Sequence, residues 1–176
     1  EYAGGAAIVA MHASALGADC RYLSVVGQDA NASIAAQELD RLNVKHVLIE
    51  DKSRPTTFKI RYMVNNQKMF RVSRMREHSI PRMVEEKIIK EISTAASHVR
   101  GILISDFVYG VITPRILKTI TELAKKHHLM VFGDLQCSSQ VGNVSKFKNF
   151  DLLCPTERES RIALGTQDEG LEWVAI

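Results

Sequence analysis

Cysteine is too scarce and too scattered in this sequence to organise a fold. Cys20, Cys137 and Cys154 are three in number and widely spaced, which argues against a disulfide framework and against a C-x-x-C metal site. A reduced, cytoplasmic setting is expected from that usage. Long apolar runs are also missing, and none approaches the ~20 residues a membrane-spanning helix needs. No G-x-x-x-x-G-K-[ST] segment occurs, so a Walker-type phosphate loop is not expected. The chain opens on Glu1-Tyr2-Ala3-Gly4-Gly5, with neither an initiator methionine nor a basic-then-apolar leader. It reads as entered partway through and incomplete at both ends. Charge of one sign is not in large excess: a net +3 permits an anionic ligand without demanding nucleic acid.

What is present suits one ordinary globular domain, with 45% apolar and 24% charged residues in 176. An alanine-rich helix is expected over 6–16, preceded by Gly4-Gly5 and closed by Gly17. A strand over 22–26, the turn Gly27-Gln28-Asp29 and a helix presenting Ala35, Leu39 and Leu42 follow. Another strand is expected over 44–49, then a turn at Lys52-Ser53-Arg54-Pro55. From there Phe58, Ile60, Tyr62 and Val64 alternate with Thr57, Lys59, Arg61 and Met63, a period of two that predicts a strand with one half-buried face. Asn65-Asn66-Gln67 turns the chain, and Phe70 and Val72 resume the alternation, giving a two-stranded ribbon with one basic face.

Beyond Ser79-Ile80-Pro81, the spacing of Val84, Ile88, Ile92 and Ala96 is helical. The near-continuous apolar run over 99–104 reads as a parallel strand covered on both faces, with Asp106 at its C-terminal end. Thr113-Pro114 caps the next helix, which ends in Lys125-Lys126-His127-His128. A strand over 129–132 with Asp134 just beyond it, a third over 150–154, and a helix carrying Glu157 and Glu159 complete the pattern. Strand and helix alternating in this way predict a parallel α/β sheet with right-handed crossovers.

Ligands of open α/β sheets bind beyond the carboxyl ends of the strands, which singles out Asp106, Asp134 and Glu159. A carboxylate there can take a substrate hydroxyl or, through water, hold the magnesium that accompanies a nucleotide, or it can simply cap a helix. Gly4-Gly5 can bring backbone N–H groups close to a ligand, or it can be a plain turn. Lys59 and Arg61, with Arg71 on the facing strand, can close over a phosphate or form the solvated side of a ribbon. The basic run Lys68, Arg71, Arg74, Arg76 and Arg82 lacks the interleaved aromatics of a nucleic-acid surface, so nucleic acid is not the expected partner. The two histidines at 127 and 128 read as helix capping, and the cysteines as packing residues.

Four motifs, in order, resemble the PfkB or ribokinase-like carbohydrate kinases, and most of all the heptose-7-phosphate kinase branch. Gly4-Gly5-Ala6-Ala7-Ile8-Val9-Ala10 is similar to the family's sugar-binding Gly-Gly-Ala-Ala-Asn-Val-Ala. Arg54-Pro55-Thr56-Thr57-Phe58-Lys59-Ile60-Arg61 with Asn66-Gln67 resembles its lid ribbon, expected over about 54–76 beside an α/β core over about 82–176. Ser105-Asp106-Phe107-Val108-Tyr109-Gly110-Val111 is similar to its Ser-Asp-Tyr-Gly-Lys-Gly-Val. Asp134-Leu135-Gln136 and Cys154-Pro155-Thr156-Glu157-Arg158-Glu159 resemble its Asp-Pro-Lys and Thr-Pro-Asn-x-x-Glu elements.

The resemblance implies a ribokinase-like α/β fold and ATP-dependent phosphoryl transfer to a sugar or sugar phosphate, with ATP and Mg2+ as cofactors. It implies substrate contacts at Gly4, Gly5, Lys59, Arg61 and Asp106. Nucleotide and magnesium contacts fall at Asp134, Thr156 and Glu159, the last acting on the metal through water. The family's Gly-Ala-Gly-Asp segment, which carries its catalytic base, does not occur up to Ile176, so the base is expected beyond that residue. Ile8, Tyr109, Gln136 and Thr156 stand where the family has Asn, Lys, Lys and Asn. The alternative reading is therefore a catalytically compromised sugar- or nucleotide-binding module of the same fold. Pairing of lid ribbons into a homodimer is a further expectation, since an isolated two-stranded ribbon is marginal.

Overall fold

The structure, a computed structural model, describes residues 2–137, 142–166 and 170–174. The chain divides into two compact units, Glu1–Lys87 and Ile88–Ile176.

In the first unit, α1 (Ala6–Ala15) leads to β1 (Arg21–Val26), α2 (Ala30–Arg41) and β2 (Lys45–Glu50). β1 and β2 pair in parallel from Arg21↔Lys45 to Val26↔Glu50. Small residues on α1 let it approach closely: Ala7 and Ala10 are buried with Leu39 of α2 and Val44, and Met11, Cys20, Tyr22, Leu42 and Leu48 pack around them. Asp29 starts α2 as its N-cap, accepting from Ala32 N–H at 3.2 Å.

The ribbon is formed by β3 (Phe58–Val64) and β4 (Gln67–Arg74), antiparallel with a register shift between Tyr62 and Met63. Asn65 and Asn66 take φ of 47° and 63°, the left-handed pair that a tight two-residue hairpin requires. Ile60 faces Val72 and Tyr62 faces Phe70, with the two rings stacked at 4.4 Å. The half-buried face expected from the alternation is not half-buried: Tyr62, Phe70 and Val72 are 46–55% exposed. Period two tells which side chains share a face; it carries no information on whether another layer covers them.

α3 (Arg82–Ala95) crosses the division between the units. The second unit continues with β5 (Gly101–Asp106), α4 (Pro114–His127), β6 (Met130–Leu135), a 3-10 turn (Val144–Lys146), β7 (Leu152–Leu153), α5 (Glu157–Leu164) and a short α6 (Leu171–Val174). Its sheet is parallel, in the order β5-β6-β7. Thr113 caps α4 through its hydroxyl, which accepts from Ile116 N–H at 3.2 Å, Pro114 occupies the first turn, and His128 closes the helix with φ 54°. Ile116 and Ile120 of α4, with Val131 and Leu135 of β6, are the largest fully buried apolar side chains of this unit. Several strand bounds differ from the expectation, and the strand expected over 150–154 is only Leu152–Leu153. The 99–104 strand begins at Gly101, and the 129–132 strand runs on to Leu135, so Asp134 lies inside it, opposite Ser105. Gly133 continues the pairing, opposite Ile104.

Candidate functional site

The expected site residues fall in both units: Gly4, Gly5, Lys59 and Arg61 in the first, and Asp106, Asp134, Thr156 and Glu159 in the second.

In the first unit, Gly5 is the N-cap of α1 with φ 58° and ψ −134°, a conformation open essentially to glycine alone. Gly5 thus has a backbone reason to be glycine. Gly4 differs, because nothing lies within 4 Å of where its Cβ would stand. That open space leaves the start of α1 accessible to a ligand. On the ribbon, Lys59 faces Ser73 and Arg61 faces Arg71, so the basic face read from the alternation is present. Like charges directly opposite across a ladder are unfavourable.

Gly27 explains how the base of the ribbon is anchored. A Cβ there would come within 2.6 Å of the Arg54 carbonyl oxygen and of the Thr56 nitrogen, so only glycine allows the approach. Gly27 N–H donates to the Thr56 hydroxyl at 2.9 Å, and Thr56 N–H donates to Asp29 at 2.9 Å. Beside it, Arg54 donates to Asp51 at 2.7 Å and to the His78 carbonyl at 2.6 Å. The second Asp51 oxygen accepts from Ser53 N–H and hydroxyl at 2.9 and 2.6 Å.

In the second unit, Asp106 is the last residue of β5 and is 3% exposed. One carboxylate oxygen accepts from Val108 N–H at 2.8 Å, and the other is ion-paired with Lys146. Gln136 N–H donates to the Asp106 carbonyl at 2.8 Å. Lys146 escaped the sequence reading. It lies 40 residues from Asp106 in a three-residue 3-10 turn, where no periodicity singles it out.

The loop after Asp106 is strained at one point. Val108 has φ 60° and stands where the resembled motif has glycine. The left-handed conformation costs a side chain with a Cβ about 1–2 kcal/mol, more than the roughly 0.5–1 kcal/mol that glycine's extra chain entropy costs. Val108→Gly is therefore expected to stabilise the protein by about 0.5–1 kcal/mol, read from its denaturant midpoint. A lower midpoint would mean that the contact of Val108 with Gly142 outweighs the strain.

Glu159 turns out to be a capping residue. Thr156 is the N-cap of α5 and forms a reciprocal capping box with it. One Glu159 oxygen accepts from Thr156 N–H and hydroxyl, both at 2.8 Å, and the other accepts from Cys137 N–H at 2.8 Å. The buried carboxylate thus ties the end of β6 to the start of α5. Burial pushes its carboxyl up, but the hydrogen bonds from Thr156 and Cys137 outweigh that and hold it below its ordinary value. Asp134 behaves oppositely: burial raises it, the hydrogen bond from Gln136 opposes the rise, and the Glu159 charge adds to it.

Two acids thus share a neighbourhood whose nearest added donor, Gln136, is neutral. Among the described residues, no three of His, Cys, Asp and Glu cluster to hold a metal directly. Magnesium keeps several waters and takes one or two carboxylates together with phosphate oxygens. Glu159 has both oxygens engaged, and Asp134 accepts from the Gln136 side chain at 3.4 Å. Tyr109 is 9% exposed and packs at a tilt to Phe107, so the position of the motif's lysine is occupied by a buried ring. Cys137 Sγ accepts from Gly142 N–H at 3.3 Å, and Cys154 is exposed. No helix among the described residues is long and apolar enough to cross a membrane.

The sequence matches the pattern of the pfkB family carbohydrate kinases over residues 1–175. Curated relatives include the bifunctional protein HldE of Geobacter metallireducens, 32% identical over 163 residues, which cover 92% of this chain and 32% of the relative. The bifunctional protein HldE of Helicobacter acinonychis is 31% identical over 169 residues, 95% of this chain and 35% of the relative. Among solved structures, the tetrameric inhibited form of phosphofructokinase-2 from Escherichia coli aligns with a TM-score of 0.76 at 15% identity, covering 99% of this chain and 56% of that one. Ribokinase from Giardia lamblia aligns at 0.66 and 14% identity, covering 88% and 47%. The chain thus spans about a third of the curated relatives' length and about half of the solved chains'.

Proposed function

The chain belongs to the pfkB family of carbohydrate kinases, and from that premise we propose that the protein carrying it transfers a phosphoryl group from ATP to a hydroxyl of a sugar phosphate, a heptose 7-phosphate being the leading candidate. The family match over residues 1–175 carries this reading. In it, Gly4 and Gly5 offer the start of α1 to the sugar, and Asp106 accepts from a sugar hydroxyl. Lys59 and Arg61 close over the substrate's phosphate from the lid ribbon. Phosphoryl transfer asks mainly for positioning and for charge stabilisation, and these residues supply hydroxyl contacts and fixed positive charge. Magnesium, when bound with ATP, would neutralise phosphate charge; Asp134 and Glu159 would hold it through water, with Thr156 at the nucleotide. The open apolar face of the ribbon, Ile60, Tyr62, Phe70 and Val72, makes self-association through the lid part of the same proposal.

A second reading, a binding module with impaired catalysis, is favoured by one observation: Thr156 and Glu159 spend their polar groups on each other and on Cys137. Calorimetry with magnesium and ATP on the complete polypeptide separates the two. Saturable nucleotide binding supports the kinase. A folded protein that binds sugar phosphate but no nucleotide supports the module.

A further inference from the structure

A second basic feature of the first unit involves none of the residues assigned to substrate. Between the 51–56 turn and the end of β4 lies a cleft of about 630 Å3, lined by Gln28, Asp29, Lys52, Ser53, Arg54, Pro55, and residues 73–76. Its volume falls within the roughly 300–1,000 Å3 of small-ligand clefts. Its lining is mainly polar, with Pro55 and Met75 as the apolar members, which disfavours an apolar occupant.

The charges of the lining do not cancel. Lys52, Arg54, Arg74 and Arg76 face one carboxylate, Asp29. Arg54 is spent on the buried Asp51 and on the His78 carbonyl. Asp29 accepts from Ala32 and Thr56 N–H groups, and Arg74 lies near enough to lower its carboxyl further. Lys52 and Arg76 are both exposed. Glu77 follows Arg76 in sequence but is not part of the lining.

The floor beneath these cations is firmly built. Asp51 holds Ser53 and Arg54, Ser53 Oγ lies 2.9 Å from His78 Nε2, and Gly27 seats the Arg54–Thr56 backbone. A turn fixed in this way holds Lys52 and Ser53 at one wall while β4 brings Ser73, Arg74 and Arg76 to the other. Ser73 pairs with Lys59, so the cleft borders the ribbon's basic face without including Lys59 or Arg61.

We propose that this cleft is a separate anion site for a compact oligophosphate, gripped by Lys52, Arg74 and Arg76 through charge-assisted hydrogen bonds and assisted by the hydroxyl of Ser73. A chain of two or three phosphates offers enough anionic oxygens to meet all three cations. The inference stands apart from the kinase reading and survives its failure.

The test is calorimetric titration of the protein with inorganic triphosphate, without magnesium, at roughly 0.15 M salt, where attraction between exposed charges is screened beyond about 8 Å. One triphosphate should bind per chain. Lys52→Ala/Arg76→Ala should weaken it about tenfold or more, whereas Lys59→Ala/Arg61→Ala should leave it within about twofold. Lys52→Arg/Arg76→Lys should retain it. Unfolding midpoints without ligand should match across the variants, because Lys52 and Arg76 are exposed. Absence of binding to the unaltered protein, an unchanged affinity in Lys52→Ala/Arg76→Ala, or loss in Lys59→Ala/Arg61→Ala would each overturn the proposal, the last by assigning the anion to the ribbon face.

Discussion

Arg54→Ala is expected to destabilise the protein by about 3–5 kcal/mol, the cost of stranding a buried charge when its partner is removed. The pair is deeply enclosed, with side chains 5% and 1% exposed for Arg54 and Asp51. Truncation removes the cation from Asp51 and leaves the His78 carbonyl without the bond at 2.6 Å. It also loosens the turn that seats the Thr56 hydroxyl on Gly27. The sign of the pH dependence follows from Asp51. Burial pushes its carboxyl up, but hydrogen bonds from Ser53 and then Arg54 hold it below its ordinary value. A carboxyl depressed in the folded state adds stability above its unfolded pKa, near 3.9, and loses it as pH falls through the folded value. The deficit of Arg54→Ala should therefore be full at neutral pH and shrink once Asp51 takes up a proton. Denaturant unfolding at neutral and at acid pH checks both statements. Adding Asp51→Asn to Arg54→Ala should recover part of the loss at neutral pH.

The second large effect is expected at Lys146. Lys146→Met keeps the apolar stem but strips the cation from Asp106, whose side chain is 4% exposed, while Lys146 itself is 30% exposed. Water reaches the lysine end, so the loss should fall below that of a fully buried pair, at about 2–3 kcal/mol. Lys146→Arg should preserve most of the stability, because any cation at that point compensates the acid. If Asp106 also takes a sugar hydroxyl, Lys146→Met leaves it freer to turn, and the Michaelis constant for the sugar should rise more than turnover falls. A midpoint unchanged in Lys146→Met would remove the ion pair from the account.

Local chemistry was readable where the partners are near in sequence. Asn65-Asn66-Gln67 announced a turn, made by Asn65 and Asn66 with Gln67 already in β4, and Thr113-Pro114 announced the helix start that is present. The Thr156-x-x-Glu159 spacing is itself a capping-box signature, and an acid at that place reads equally as a magnesium residue. The same carboxylate can serve either end, and sequence alone does not say which bonds it makes. Asp51 with Arg54 went unnoticed because a turn of polar residues looks solvated until the packing around it is known. Lys146 was invisible for a different reason: an ion pair spanning 40 residues leaves no period. The strain at Val108 was legible in principle, as a β-branched residue in a motif position held by glycine. The ribbon's alternation identified a basic and an apolar face correctly but overstated the cover on the latter.

The central claim is that the protein carrying this chain is a sugar kinase, and phosphoryl transfer measures it directly. The complete polypeptide, with magnesium and ATP, should phosphorylate a heptose 7-phosphate in preference to the unphosphorylated sugar, with ADP released in equal amount. Lys59→Ala/Arg61→Ala should narrow that preference. A folded protein that yields no ADP across heptose phosphates, hexose phosphates and simple sugars would contradict the claim.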